Sequence, residues 1–217
     1  MRRASKILVA ASGSCLGLCL TAVPVPAFAE GVAATGAGSA GTVDVTVSGQ
    51  PARSGLLSPC LAGTTPANRT DPVAVGTDTW YGTATTTCTR NADGTAGVRV
   101  SGESFETRIL SRYGGPIIRA RTYKAACDTV ENGSRGQIAL SGITGFTVPS
   151  TIPANYTVTI PGASPDTRPM AVIVLNELIV PEPSDGSMVT NAMHIELFPD
   201  GGPASGDLVV GNAACAP

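Results

Sequence analysis

The sequence predicts an all-β fold: a single antiparallel β-sandwich stapled by two disulfides. Three observations carry this. The chain holds 26 Gly and 17 Pro among 217 residues and only 14% charged residues, a composition suited to short strands and many turns. Apolar and β-branched residues recur in short alternating runs split by Gly, Pro, Asn and Asp, and no helical period lasts beyond two turns. Four cysteines lie outside the N-terminal apolar segment, an even set suited to two bridges.

Taken in order, the chain opens with Arg2, Arg3 and Lys6, then an apolar run from Ile7 to Val23, then the small-x-small site Ala27-Phe28-Ala29. That succession predicts an export signal over residues 1–29, cleaved after Ala29. Cleavage removes Cys15 and Cys19, three cations and no acid. Lys plus Arg falls from 14 to 11 against 16 acids, so the formal charge moves from −2 to −5. An acidic chain lacks the basic footprint of general nucleic-acid binding. No later apolar run reaches the roughly 18 residues of a membrane span.

Residues 30–42, in which Gly31 to Gly41 is nearly all Gly, Ala, Ser and Thr, are expected to form a flexible linker. The folded domain is expected over residues 43–217, starting at the alternating Val43 to Val47. Ser48 to Asp78, with four prolines, is expected to be mostly loop. Thr79 to Cys88 predicts a strand, and Asn91-Ala-Asp-Gly94 a turn into a second strand from Ala96 to Ser101. Phe105 to Arg112 and Pro116 to Ala126 form two arms around Tyr113-Gly114-Gly115. Gln137 to Leu140, Phe146 to Val148 and Tyr156 to Ile160 follow as short strands.

The last third holds three central strands: Met170 to Val180, Ser187 to Leu197 and Asp207 to Cys215. Around Val174 both phases are apolar, so the first should be covered on both faces. Period two puts Val189, Asn191, Met193, Ile195 and Leu197 on the core face, and Thr190, Ala192, His194 and Glu196 on the other.

Asn191-Ala-Met-His-Ile195, the closing Gly206 to Gly211 with Cys215, and Leu140 to Val148 carry a resemblance. In them the chain resembles the actinobacterial "choice-of-anchor P" family of secreted and surface proteins. The resemblance implies a shared extracellular domain borne on varied anchors, and no catalytic residues. The chain ends at Ala216-Pro217 without a sorting motif or apolar tail, which under the resemblance implies a released form.

Little in the sequence bears chemistry. His194 is the single histidine, so any triad or imidazole base must use it. Its place on the polar phase predicts a surface residue whose removal costs under about 1 kcal/mol. Glu177, in the apolar run, is the best candidate for a glycosidase acid, with Glu103, Glu106 or Asp207 as partner. The competing reading pairs it with Arg99, Arg119 or Arg121. Glu196 shares a face with His194. Asn91 to Gly94 and Pro183 to Gly186 lack the full ligand spacing of a calcium loop and read as turns. Arg108, Arg112, Arg119, Arg121 and Lys124 cluster in the hairpin from Phe105 to Lys124. They suit contact with an anionic cell-wall polymer or a surface protein, or else a solvated edge. Asn68, Asn132 and Asn155 begin glycosylation sequons.

Cysteine spacing excludes a Cys-x-x-Cys zinc site. Of the three pairings that four cysteines allow, Cys60–Cys88 with Cys127–Cys215 is preferred. The first would hold the proline-rich loop and the second the C-terminal strand. The functional expectation is a non-catalytic, secreted or envelope-associated interaction domain without cofactor. The alternatives are a secreted acid-based glycoside hydrolase and a carbohydrate-binding module.

Overall fold

The computed structural model describes residues 33–164 and 168–217. The expected export signal, with Cys15 and Cys19, and the start of the expected linker lie outside the described residues.

The described chain is an antiparallel β-sandwich. The front sheet holds β1 (Thr35–Val47), β2 (Gln50–Arg53), β3 (Cys60–Leu61), β11 (Tyr156–Ile160), β12 (Ala171–Ile179), β13 (Met188–Leu197) and β14 (Ala204–Ala216). Its order is β11-β12-β13-β14-β1-β2, with β3 paired beside β1. The back sheet holds β4 (Ala67–Thr70), β5 (Val73–Val75), β6 (Thr79–Tyr81), β7 (Ala84–Arg90), β8 (Ala96–Thr107), β9 (Ile118–Val130) and β10 (Gly133–Ser141). Here β10-β9-β8 run side by side, and the long β8 pairs at one end with β7 and at the other with β6. Among the described residues no helix is long and apolar enough to cross a membrane.

Both disulfides join the two sheets. Cys60–Cys88 links β3 to β7 and Cys127–Cys215 links β9 to β14, with Cα separations of 5.6 and 5.9 Å. The pairing preferred from the sequence is the one formed. Two such bridges suit an oxidising compartment.

Several expectations need correction. Residues 35–42 are not linker but most of β1, paired along its length with β14. Their small side chains answer to the opposite sheet. A Cβ on Gly36 would lie 2.9 Å from Val98, and one on Gly38 2.7 Å from Val98. Ser48 to Asp78 lies mostly outside strands, as expected, but contains four short ones, β2 to β5. Thr79 to Cys88 breaks into β6 and β7 at Gly82. A side chain there would meet the Glu103 carbonyl at 2.2 Å. Phe146 to Val148 is not a strand, although Phe146 and Val148 pack on the core. β12 is buried on one face and half-buried on the other.

The largest departure is a crease across the front sheet. Asn176 and Gly211 take left-handed backbone, φ 51° and 63°. Pairing skips Asn176, Ala192, Gly211 and Ala40, and resumes in the same register beyond them. Across that line the core-facing position moves by one residue on each strand. In β14 the inward residues change from Leu208 and Val210 to Ala213 and Cys215; in β13 they change from Ile195 and Met193 to Thr190 and Met188. The period-two assignment therefore holds for Met193, Ile195 and Leu197 but fails for Asn191 and Val189.

Two back-sheet tyrosines account for the crease. Tyr81 is buried, edge-on to Phe105, and its hydroxyl donates to the Val209 carbonyl at 2.8 Å. Tyr123 is buried against Gly211, where a Cβ would meet its ring at 2.9 Å. Both rings fit because the front sheet presents glycine, Gly41 and Gly211, where they reach it.

Candidate functional site

The crease decides which polar residues meet on the outer face of the front sheet. Beyond it Glu177, Asn191 and Asn212 face outward in one cross-strand row. Before it His194 and Asp207 face outward as well. Glu177 on β12, His194 on β13 and Asp207 on β14 thus form a chain. His194 Nδ1 lies 3.1 Å from Glu177 Oε1, and Nε2 lies 2.9 Å from Asp207 Oδ1. Asn191 Nδ2 donates to Glu177 Oε2 at 2.6 Å, and Asn212 Nδ2 donates to Asn191 Oδ1 at 2.7 Å. Five side chains tie three strands together.

Their electrostatics are mutually fixed. The Glu177 hydrogen bond, helped by Asp207, raises the His194 pKa to about 9 against the desolvation that opposes charge. Burial pushes the Glu177 carboxyl up, but hydrogen bonds from His194 and Asn191 outweigh it, so its pKa lies below the ordinary value. With both ring nitrogens beside carboxylates, the imidazolium is the stable form and each nitrogen donates. The next row sets Glu196, Asp207 and Asp44 in register across β13, β14 and β1. Like charges directly opposite are destabilising. His194 faces Asp207, and Arg53 meets Asp44 at 2.6 Å, so each offsets part of that cost.

This corrects two sequence expectations. Glu177 pairs with His194, not with an arginine. Nor is His194 an indifferent surface residue: its side chain is 28% exposed, and that of its partner Glu177 is 13% exposed. Removing the imidazole strands a mostly buried carboxylate. His194→Ala is therefore expected to cost about 2 kcal/mol at pH 6, between a lost charged hydrogen bond and a broken buried pair.

The sign of the pH dependence follows. The folded pKa of about 9 lies above the unfolded 6.5, so the histidine's contribution is complete below pH 6.5 and lost as pH rises to 9. The depressed Glu177 works in reverse, contributing above its unfolded pKa and fading in acid. Proton NMR of the single imidazole should give a midpoint near 9, and the cost of His194→Ala should shrink at pH 10. A midpoint near 6.5 would mean that the carboxylates do not hold the ring.

The hairpin cations fare differently from one another. The hairpin's two arms are β8 and β9, joined through a short 3₁₀ turn, Ile109–Tyr113, that takes up the second half of the first arm expected over Phe105 to Arg112. Arg108 pairs with Glu106 and lies over the Trp80 ring at 5.0 Å. Arg119 meets the other oxygen of Glu106 at 2.6 Å, and Arg112 meets Asp78 at 2.7 Å. Burial works to raise the Glu106 pKa, but the two arginines outweigh it and hold it below the usual range. Arg121 and Lys124 are exposed and have no ion pair among the described residues. Sequence reading could not find Asp78, 34 residues from Arg112.

Glu196 is exposed and takes no part in the His194 chain. Asp93 and Asp185 accept hydrogen bonds from Thr95 and Ser187 two residues on, the signature of turns. Among the described residues no three His, Cys, Asp or Glu side chains converge as metal ligands. No protein-family model, characterised protein or solved structure matches the chain.

Proposed function

We propose that this chain is a non-catalytic, secreted or envelope-associated interaction module. One observation carries the reading: the groups best suited to catalysis are already engaged with one another. A histidine base needs a free nitrogen, and both of His194 face carboxylates. A glycosidase acid needs an oxygen open to substrate, and both of Glu177 face donors. What could be reaction chemistry is used to hold three strands in register. The export signal read in the sequence and the two disulfides support an extracellular setting. The resemblance to "choice-of-anchor P" proteins points the same way, toward a displayed domain acting through its surface.

The test is direct. Purified protein incubated with cell-wall polysaccharide fractions is expected to release no new reducing ends over days, and His194→Ala and Glu177→Gln should change nothing in that assay. Release of sugar ends by the wild type that either variant abolishes would overturn the reading.

A further inference from the structure

The outer face of the back sheet carries a row that the front sheet does not match. In register across β4, β7, β8, β9 and β10 stand Arg69, Thr85, Ser101, Lys124 and Ala139. Two cations flank two hydroxyls. Thr85 Oγ1 and Ser101 Oγ lie 3.0 Å apart and hydrogen-bond each other. Arg69 and Lys124 are exposed, and neither has an ion pair among the described residues. Three interstrand steps of about 4.8 Å put the two cations about 14 Å apart, less the reach of their flexible side chains.

The row lies in a depression. Two open cavities of about 420 and 380 Å³ meet at Thr85, Ser101 and Lys124; one carboxylate, the exposed Glu103 beside Thr122, lines the far side of the larger and leaves the cations in excess. A second hydroxyl pair, Thr122 and Ser141 at 2.6 Å, borders it on one side. On the other, Arg99 is held by Asp128 through two hydrogen bonds of 2.7 and 2.8 Å. Such a surface has a chemical signature. Hydroxyl pairs both donate and accept, as sugar hydroxyls require. Unpaired cations on an acidic protein attract a polymer whose negative charges are spaced, with neutral polar groups between.

We propose that this row binds an anionic polysaccharide carrying carboxylates, laid across the strands from Arg69 to Lys124. The proposal rests on the interaction-module reading and names its ligand class. It also moves the binding surface: of the five hairpin cations only Lys124 belongs to it, while Arg108, Arg112 and Arg119 are neutralised by Glu106 and Asp78.

The experiment uses the mature chain in affinity electrophoresis with three polymers: polygalacturonate, neutral dextran and inorganic polyphosphate. Polygalacturonate should retard the protein, and dextran should not. Retardation should weaken steeply as salt rises. The double variant Arg69→Ser with Lys124→Ser should weaken binding at least tenfold, and Arg112→Ser should stay within twofold. Ser101→Glu, placing a carboxylate between the two cations, should abolish binding while leaving the melting temperature within a few degrees. No retardation at low salt, equal retardation by dextran, polyphosphate binding without polygalacturonate binding, or an unaffected double variant would each overturn the proposal. Those failures leave the non-catalytic reading standing, since it falls only if sugar ends are released.

Discussion

Replacing Cys127 and Cys215 together by alanine should lower the unfolding free energy by about 4–5 kcal/mol. The two cysteines are 88 residues apart, and the loop they close contains β10 to β14. Chain-entropy arguments give such a loop about 4.6 kcal/mol, against about 3.6 kcal/mol for the 28-residue separation of Cys60 and Cys88. The native side of the balance points the same way. Cys127 and Cys215 are 0% and 4% exposed, so the bridge also fills core volume between β9 and β14. Urea unfolding of the two double-alanine variants, without reductant, measures both. The closed loops do not overlap in sequence, so the losses should add in the quadruple variant. A loss below 1 kcal/mol for the Cys127/Cys215 pair would mean that β14 is held by its ladder to β1 and β13 alone.

These bridges were legible from sequence because each solved a problem visible there: a proline-rich loop with little core, and a chain end that would fray. The strands β12 to β14 were legible from alternation and their turns. What escaped is whatever depends on a neighbour distant in sequence. Thr35 to Gly41 reads as featureless because its information is in the side chains it lacks. Val98, Val100 and Tyr81 occupy the space those side chains would need.

The Glu177–His194–Asp207 chain escaped for a related reason. Period two, applied without interruption, sends Asn191 to the core and His194 to solvent, and so separates two residues that both bond Glu177. The hint was present as Asn176 inside an apolar run and Gly211 inside a strand. Neither says alone that four strands slip together. That needs the tyrosines opposite, and Tyr81 lies 128 residues before the carbonyl its hydroxyl meets. The paired hairpin arginines show the same limit. Their charge was countable, but Asp78 and Glu106 decided how much of it is available.

Gly41→Ala tests the crease at its tightest point and should cost about 3 kcal/mol or more. The added methyl would lie 2.4 Å from the Val209 carbonyl oxygen, 2.6 Å from Tyr81 Cε1 and 3.0 Å from its hydroxyl. A backbone oxygen inside a ladder cannot retreat without opening the pairing of Gly41 with Val210. The ring cannot retreat either, since it is 1% exposed and packed on Phe105. Overpacking a filled core costs typically 1–3 kcal/mol. Loss of the hydrogen bond from Tyr81 to Val209 adds about 1 kcal/mol. Tyr81→Phe removes that bond, with the longer one to the Thr42 carbonyl at 3.4 Å, and no packing volume beyond the hydroxyl; it should cost only about 1 kcal/mol, so the difference between the two variants isolates the steric part. The effect should also reach the outer face. Val209 is the register partner of His194, so moving its backbone loosens the contact of His194 with Asp207. The imidazole midpoint in Gly41→Ala is therefore expected to fall from about 9 toward 6.5. A variant as stable as the wild type would show that Tyr81 does not set the crease. A destabilised variant with an unmoved midpoint would show that crease and charged chain are independent.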